Sequence, residues 1–200
     1  MADRTFAIGD IHGGLDELLT LMSRLPALDG GDTLVFMGDY IDRGPDSAGV
    51  VRYVMDLPEQ TAAKVVCLRG NHEDAWLRVI EGNYPEFVLP VGNGCLQAME
   101  SFLGREASPP GTTPDFDDFD TLVYGKFFPP EVLEWFESLD WWFEDDYAIY
   151  VHAGLPEDDE GNFMHPSEAT DGDDRQALLW TRTARFFEEY RGKPVVVGHT

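Results

Sequence analysis

Thr33-Leu34-Val35-Phe36-Met37-Gly38-Asp39-Tyr40-Ile41-Asp42-Arg43-Gly44 joins an apolar run to a polar, glycine-bounded turn, and the flanking chain repeats that order. Thr33 to Met37 is a short apolar run of strand length, stopped by glycine. A polar turn over Gly38 to Ser47 follows. Val50, Val51, Val54 and Met55 then fall on one helical stripe. The same order recurs on either side. Upstream, Thr5 to Ile8 is a strand, Gly9 to Gly14 a turn, and Leu15, Leu18, Leu19, Met22 and Leu25 share helical spacing. Downstream, Val65 to Leu68 is a strand, Arg69 to Glu73 a turn, and a helix runs to about Glu81. Strand, turn and helix in alternation predict βαβ units and a largely parallel sheet.

From Asn83 the rhythm changes. Pro85, Pro90, Pro109, Pro110 and Pro114 crowd the next stretch, and Cys95 to Phe102 is its one helical pattern. A loop-rich, cap-like insert over 83–146 is expected. Pro129-Pro130 opens a helix carrying Val132, Leu133, Trp135, Phe136 and Leu139, proline being tolerated in a first turn. Tyr147 to Val151 reads as a strand leading to His152, and Gly154 to Asp174 as an acidic loop. Leu178 to Tyr190 reads as mostly helix, and Val195 to Val197 as a last strand running into Gly198-His199-Thr200. The length suits one α/β domain over 1–200.

The chain carries 14 basic and 38 acidic residues, a formal net charge of −24. That excludes a basic face for nucleic-acid phosphates and argues against an anionic-membrane binder. With 43% hydrophobic and 12% aromatic residues, it is too rich in core formers to be a disordered acidic tail. No apolar run is long enough to cross a bilayer, and Met1 to Ile8 lacks the pattern of an export signal. A cytoplasmic protein is expected, a monomer favoured. Cys67 and Cys95 are too few for a disulfide framework and read as buried thiols. Nineteen acidic residues fall in 114–174 against one basic, which reads as a solvated, self-repelling surface.

Chemistry gathers at the strand exits. His12, His72, His152 and His199 follow directly on strands or their exit turns, and so do Asp10, Asp39 and Asn71. Ligands of open α/β sheets bind beyond the carboxyl ends of the strands, so five exits deliver a His, Asp or Asn to one rim. A lone Asp there is a helix cap or turn former; five exits together exceed capping. Asp10 and His12 at i and i+2 face one side of an extended segment and can grip one ion. Asn71 and His72, being adjacent, point apart, so one can ligate while the other faces a substrate. Carboxylate and imidazole without thiolate suit Mn²⁺, Fe²⁺ or Zn²⁺. Seven such groups exceed the needs of one ion, and a shared aspartate would let two sit close together. His165 reads as a surface histidine, and Glu157 to Glu160 and Asp171 to Asp174 lack the spacing of a calcium loop.

Gly9-Asp10-Ile11-His12-Gly13, Gly38-Asp39-Tyr40-Ile41-Asp42-Arg43-Gly44, Gly70-Asn71-His72-Glu73, His152-Ala153-Gly154 and Gly198-His199 together resemble the ordered signature of the metallophosphoesterases. More narrowly, Asp42-Arg43-Gly44 and Arg69-Gly70-Asn71-His72-Glu73 resemble the compact bacterial and phage serine/threonine protein phosphatases. The resemblance implies a sandwich of two mixed β-sheets flanked by helices. It implies that Asp10 and His12 hold a first metal, that Asp39 bridges both, and that Asn71, His152 and His199 complete the second. Arg43 would bind the substrate phosphate, and Asn71 would touch it as well. Leu178-Leu179-Trp180-Thr181-Arg182 resembles the family's Leu-Leu-Trp-x-Arg segment, which makes Arg182 a second phosphate contact; its plainer reading is a helix arginine reaching to solvent. Arg69 and Glu73 would brace the turn. Members of the family continue past the last histidine with further strands, so strands beyond Thr200 are expected.

The implied cofactor is a pair of divalent ions, Mn²⁺ first, with Fe²⁺ or Zn²⁺ also suited. Such a pair lowers the pKa of a bridging water and polarises the phosphoryl oxygens. His72 is the candidate general acid for the leaving group, its pKa raised and its tautomer fixed by Asp42; turn chemistry is the competing role for Asp42. Asn93-Gly94 are candidates to line the cleft. The expected activity is phosphomonoester hydrolysis on a phosphoprotein or small phosphoester. The rival is phosphoanhydride hydrolysis of the diadenosine tetraphosphatase kind, where Asp often replaces the Glu after Asn-His. A non-catalytic acidic binding module is the third reading.

Overall fold

The computed structural model describes residues 3–170 and 172–199; Met1, Ala2, Asp171 and Thr200 lie outside the described residues. β1 (Thr5–Ile8), α1 (Leu15–Arg24), β2 (Thr33–Phe36), α2 (Ser47–Gln60), β3 (Lys64–Cys67) and α3 (Asn71–Ile80) follow the expected alternation. β1, β2 and β3 form a parallel sheet in that order, with Ile8, Phe36 and Cys67 in register at its carboxyl edge. Three exit loops therefore leave at the same height. Asp46 caps α2 by accepting from the Gly49 N–H at 2.8 Å.

The two-residue period of a strand divides β2 between two cores. Leu34 and Phe36 face a large cluster with Val50, Val54, Trp76 and Phe136, whereas Val35 and Met37 face Val66, Leu68, Ala148 and Tyr150. All four side chains of β2 and its exit are almost completely buried, each worth about 1.5–3 kcal/mol in apolar transfer. The second cluster is the seam between the sheets.

α4 (Cys95–Phe102), α5 (Phe116–Tyr124) and α6 (Pro130–Ser138) come next. They belong to the 83–146 stretch, yet Met99, Leu122, Phe127, Phe128 and Phe136 all join the first core. α5 corrects the loop-rich reading of this region. Its apolar pattern is weak because Leu122 is its single buried side chain and Phe116 is 84% exposed. Its end signals were present: Asp115 accepts from the Asp118 N–H at 2.9 Å, and Gly125 closes it at φ +58.

After α6, the chain passes beside the end of β3, where the Arg69 N–H donates to the Asp140 carbonyl at 2.7 Å. β4 (Trp142–Glu144), β5 (Ile149–Val151), α7 (Gly172–Trp180), α8 (Ala184–Glu189) and β6 (Val195–Val196) complete the order. β4 is a strand the sequence reading lacked. It pairs antiparallel with β5, which pairs parallel with β6, so the second sheet is mixed while the first is wholly parallel. α7 starts within the stretch read as acidic loop, because Asp173 and Asp174 in a first turn complement the helix dipole. The stretch from Leu178 to Tyr190, read as mostly helix, is helical except at its end and at a break over Thr181–Thr183, where the Thr181 hydroxyl donates back to the Ala177 carbonyl at 2.6 Å. Val151, Leu155, Leu178 and Phe186 pack as a third cluster outside the second sheet. No helix among the described residues is long and apolar enough to cross a membrane.

Candidate metal centre

The exits of both sheets meet at one rim. Asp39 is its hub, 2% exposed and held at φ +54, a left-handed conformation uncommon for non-glycine residues. Asp39 Oδ1 accepts the His72 backbone N–H at 3.0 Å, and its own N–H donates to Glu73 Oε2 at 3.0 Å. Gly38, at φ +96, lies so close to Gly70 that a Cβ would come within 2.5 Å of its backbone. Glycine is required there because the two exit turns touch.

Around Asp39 lie two groups of donors. His12 Nε2 stands 3.4 Å from Asp39 Oδ2 and 4.0 Å from Asp10 Oδ2, and His72 Nε2 stands 4.0 Å from Asp39 Oδ2. On the other side, His152 Nε2 is 3.5 Å from Asp39 Oδ1, 2.9 Å from Asn71 Oδ1 and 3.2 Å from His199 Nδ1. Asn71 Oδ1 is 2.8 Å from His199 Nδ1. The ligating atoms of His12, Asp39 and His72, and those of Asp39, His152 and His199, each lie within 4.8 Å of one another.

Tautomers decide whether these groups suit a cation. His12 Nδ1 is 2.8 Å from the Ile41 carbonyl and His152 Nδ1 is 2.7 Å from the Met37 carbonyl. Carbonyls only accept, so each Nδ1 carries a proton, which in the neutral ring leaves the lone pair on Nε2. Burial holds the His12 pKa down against the pull of Asp39, and burial followed by the neighbouring His152 pushes His199 down to about 4, so both are neutral near pH 7. His12 Nε2 is buried with no hydrogen-bond partner and faces carboxylates. Lone pairs turned on carboxylate and amide oxygens repel unless a cation lies between them, and imidazole with carboxylate is a donor set for divalent ions. The residues fit the pair of metals that the sequence implies.

Beside this cluster His72 and Asp42 form a dyad. His72 Nδ1 is 2.6 Å from Asp42 Oδ2, both side chains being almost fully buried. Burial pulls the His72 pKa down, but the Asp42 hydrogen bond and the charges of Asp39, Asp42 and Glu73 outweigh it, and the net shift is upward. Arg43 Nη2 lies 3.4 Å from His72 Nε2, so guanidinium and imidazole flank one spot. The Arg43 N–H donates to the Gly94 carbonyl at 3.2 Å, and a Cβ at Gly94 would fall 2.1 Å from that nitrogen. The Asn93-Gly94 turn thus seats directly on Arg43.

Arg182 sits in the break between α7 and α8 rather than on a helix, and its Nε donates to His199 Nε2 at 2.8 Å. Arg69 donates to the Phe136 and Glu137 carbonyls at 3.0 and 2.8 Å and stacks on Trp141, a bracing position. Glu73 accepts from the backbone N–H groups of Asp39, Tyr40 and Gly70. Its burial, then the Asp39 charge, pushes its carboxyl up to about 8. Trp76 was missed by sequence reasoning: its Nε1–H donates to both oxygens of Asp42. The available signal was its place one helical turn after His72. His165 is bound on both ring nitrogens, to Ser167 Oγ at 2.7 Å and Glu144 Oε2 at 3.0 Å, apart from the cluster.

Two packed sheets whose exits bring imidazole, carboxylate and amide donors around one aspartate form a site suited to divalent cations. The chain belongs to the calcineurin-like phosphoesterases, whose family model matches residues 4–200. The symmetrical bis(5'-nucleosyl)-tetraphosphatase of Escherichia coli is 41% identical over 78 residues, which are 39% of this chain and 26% of that protein. The match thus spans about a quarter of that relative's length. A solved structure provisionally named a diadenosine tetraphosphatase aligns with all of this chain and 80% of its own, at 21% identity and TM-score 0.57. A metallophosphoesterase from Sphaerobacter thermophilus aligns with all of this chain and 61% of its own, at 21% identity and TM-score 0.54. These two likenesses establish the fold.

Proposed function

We propose that the chain hydrolyses phosphomonoesters, phosphoserine and phosphothreonine of proteins among them, at a dinuclear centre with His72 as general acid. The observation that carries this reading is the 2.6 Å contact between Asp42 and His72 beside the two donor groups on Asp39. An alkoxide leaving phosphorus needs a proton, whereas the phosphate leaving an anhydride is a weak base and needs one far less. A built proton donor therefore favours an ester substrate.

In this reading Asp10, His12 and Asp39 hold one divalent cation, and Asp39, Asn71, His152 and His199 the other. Mn²⁺ is the proposed pair, and Fe²⁺ or Zn²⁺ suit the same donors. Bound there, the two cations would supply water activation and offset phosphoryl charge. Arg43 and Arg182 fork onto the remaining phosphoryl oxygens as charge grows in the transition state. His72 gives its Nε2 proton to the leaving oxygen while Asp42 steadies the Nδ1–H edge of the charged ring.

A second reading is phosphoanhydride hydrolysis, favoured by the 41% identity to the symmetrical tetraphosphatase over the 78 matched residues. The test is a rate comparison with Mn²⁺ on a phosphopeptide, p-nitrophenyl phosphate and diadenosine tetraphosphate. Faster release from the phosphopeptide supports the ester reading. Faster cleavage of the dinucleotide overturns it in favour of the second. Protein that binds two metals yet hydrolyses none of the three ends both.

A further inference from the structure

Asp42 lies at the bottom of the dyad, 0% exposed, with its backbone at φ +70. Its N–H donates to the Ser47 hydroxyl at 3.0 Å. A carboxylate buried this deeply depends on the few N–H groups that reach it. Two side chains of one helix do so. His72 Nδ1 approaches Oδ2 at 2.6 Å, and Trp76 Nε1–H donates to Oδ1 at 3.1 Å and to Oδ2 at 3.0 Å. His72 and Trp76 stand at i and i+4 on α3, so both point at Asp42 from the same face.

Trp76 is itself fully buried and edge-on to three rings, Phe87 at 5.9 Å, Phe127 at 5.1 Å and Phe128 at 5.2 Å. Phe87 also meets the His72 ring edge-on at 5.3 Å. All three phenylalanines come from the 83–146 stretch. That stretch thus builds an aromatic box which leaves the indole little freedom and points its N–H at one carboxylate.

We propose that Trp76 is a positioning residue for the general acid: its indole N–H pins the Asp42 carboxylate, which in turn sets the orientation of His72. The proposal rests on the reading of His72 as proton donor. With the N–H removed, the carboxylate keeps one strong partner and is free to turn about its last torsion. The imidazole then loses its fixed aim at the leaving oxygen, while the metal ligands are untouched.

The experiment replaces Trp76 in two ways, as Trp76→Phe and with benzothienylalanine at position 76, which keeps the bicyclic shape and lacks the N–H. Turnover is measured on an alkyl phosphate, whose leaving group needs the proton, and on p-nitrophenyl phosphate, whose leaving group does not. Asp42→Asn serves as reference. The expected result is a fall of about tenfold in the alkyl-to-aryl ratio of kcat for both Trp76 replacements, the scale of one charged hydrogen bond. Bound Mn²⁺ per chain stays equal to wild type. Equal losses on both substrates, or an unchanged ratio for the benzothienyl variant, overturn the proposal. If Asp42→Asn shows the split and the Trp76 variants do not, the positioning claim alone falls. If Asp42→Asn leaves the ratio unchanged, the general-acid reading falls and the proposal with it.

Discussion

The backbone N–H of His199 donates to Asp10 Oδ1 at 2.8 Å, joining the exit of β1 to the exit of β6 across both sheets. One oxygen of Asp10 is thereby committed to structure and the other, Oδ2, faces His12. The contact is so close that a Cβ on Gly198 would fall 2.4 Å from Asp10 Oδ1.

Asp10→Ala is expected to act twice. It leaves the His199 N–H without its acceptor, which costs about 1–3 kcal/mol, and it removes one proposed ligand. Urea unfolding of metal-free protein reads the first effect and Mn²⁺ binding the second. Unchanged metal-free stability would show that the tie contributes nothing.

Replacing the proton donor separates chemistry from binding. His72→Asn should lower kcat on an alkyl phosphate by about 10²–10⁴-fold, the usual contribution of general acid catalysis. Metal content should hold, since the proposed ligands remain. Retained turnover on the alkyl ester would assign the proton to another group.

Glu73 tests the scaffold beneath the centre. Its two oxygens accept three backbone N–H groups, so Glu73→Gln sets an amide NH₂ against a backbone donor. Above about pH 8, where the Glu73 carboxyl has lost its proton, a loss of about 2 kcal/mol is expected in denaturant unfolding. A variant as stable as wild type would mean that the turns of Asp39 and Gly70 are held without it.

Acid stability has a separate source. Arg4 donates two hydrogen bonds to Asp32, at 2.7 and 2.5 Å, and this pairing holds the Asp32 carboxyl down at about 2 against 3.8 for the free side chain. A lowered folded-state pKa stabilises at pH values above the unfolded one and is lost as pH falls through the folded one. The stability difference between wild type and Asp32→Asn should therefore be nearly full above about pH 4 and fall away as pH drops through about 2. A pH-independent difference would remove the ion pair from the account.

Much of this was legible in the chain, for identifiable reasons. β2 is buried on both faces, and the runs of β1, β2 and β3 are each closed by a glycine-containing turn that carries the donor residues. β4 escaped because three half-buried residues, Trp142 to Glu144, carry no alternation long enough to read. α5 escaped because it is acidic and buries one side chain. The aim of Trp76 at Asp42 depends on a turn at left-handed φ meeting a helix that starts 29 residues later, and no local pattern encodes such a meeting. The placement of Arg182 against His199 likewise follows from a helix break at Thr181 that periodicity smooths over.

In the proposed centre, Asp39 joins two donor groups into a single paired-cation site. Electron paramagnetic resonance of the protein titrated with Mn²⁺ tests it most directly. Two ions per chain with an exchange-coupled spectrum are expected, reduced in Asp39→Asn to at most one uncoupled ion. A wild-type spectrum of one isolated Mn²⁺ at saturation, or a coupled pair that survives Asp39→Asn, would contradict it.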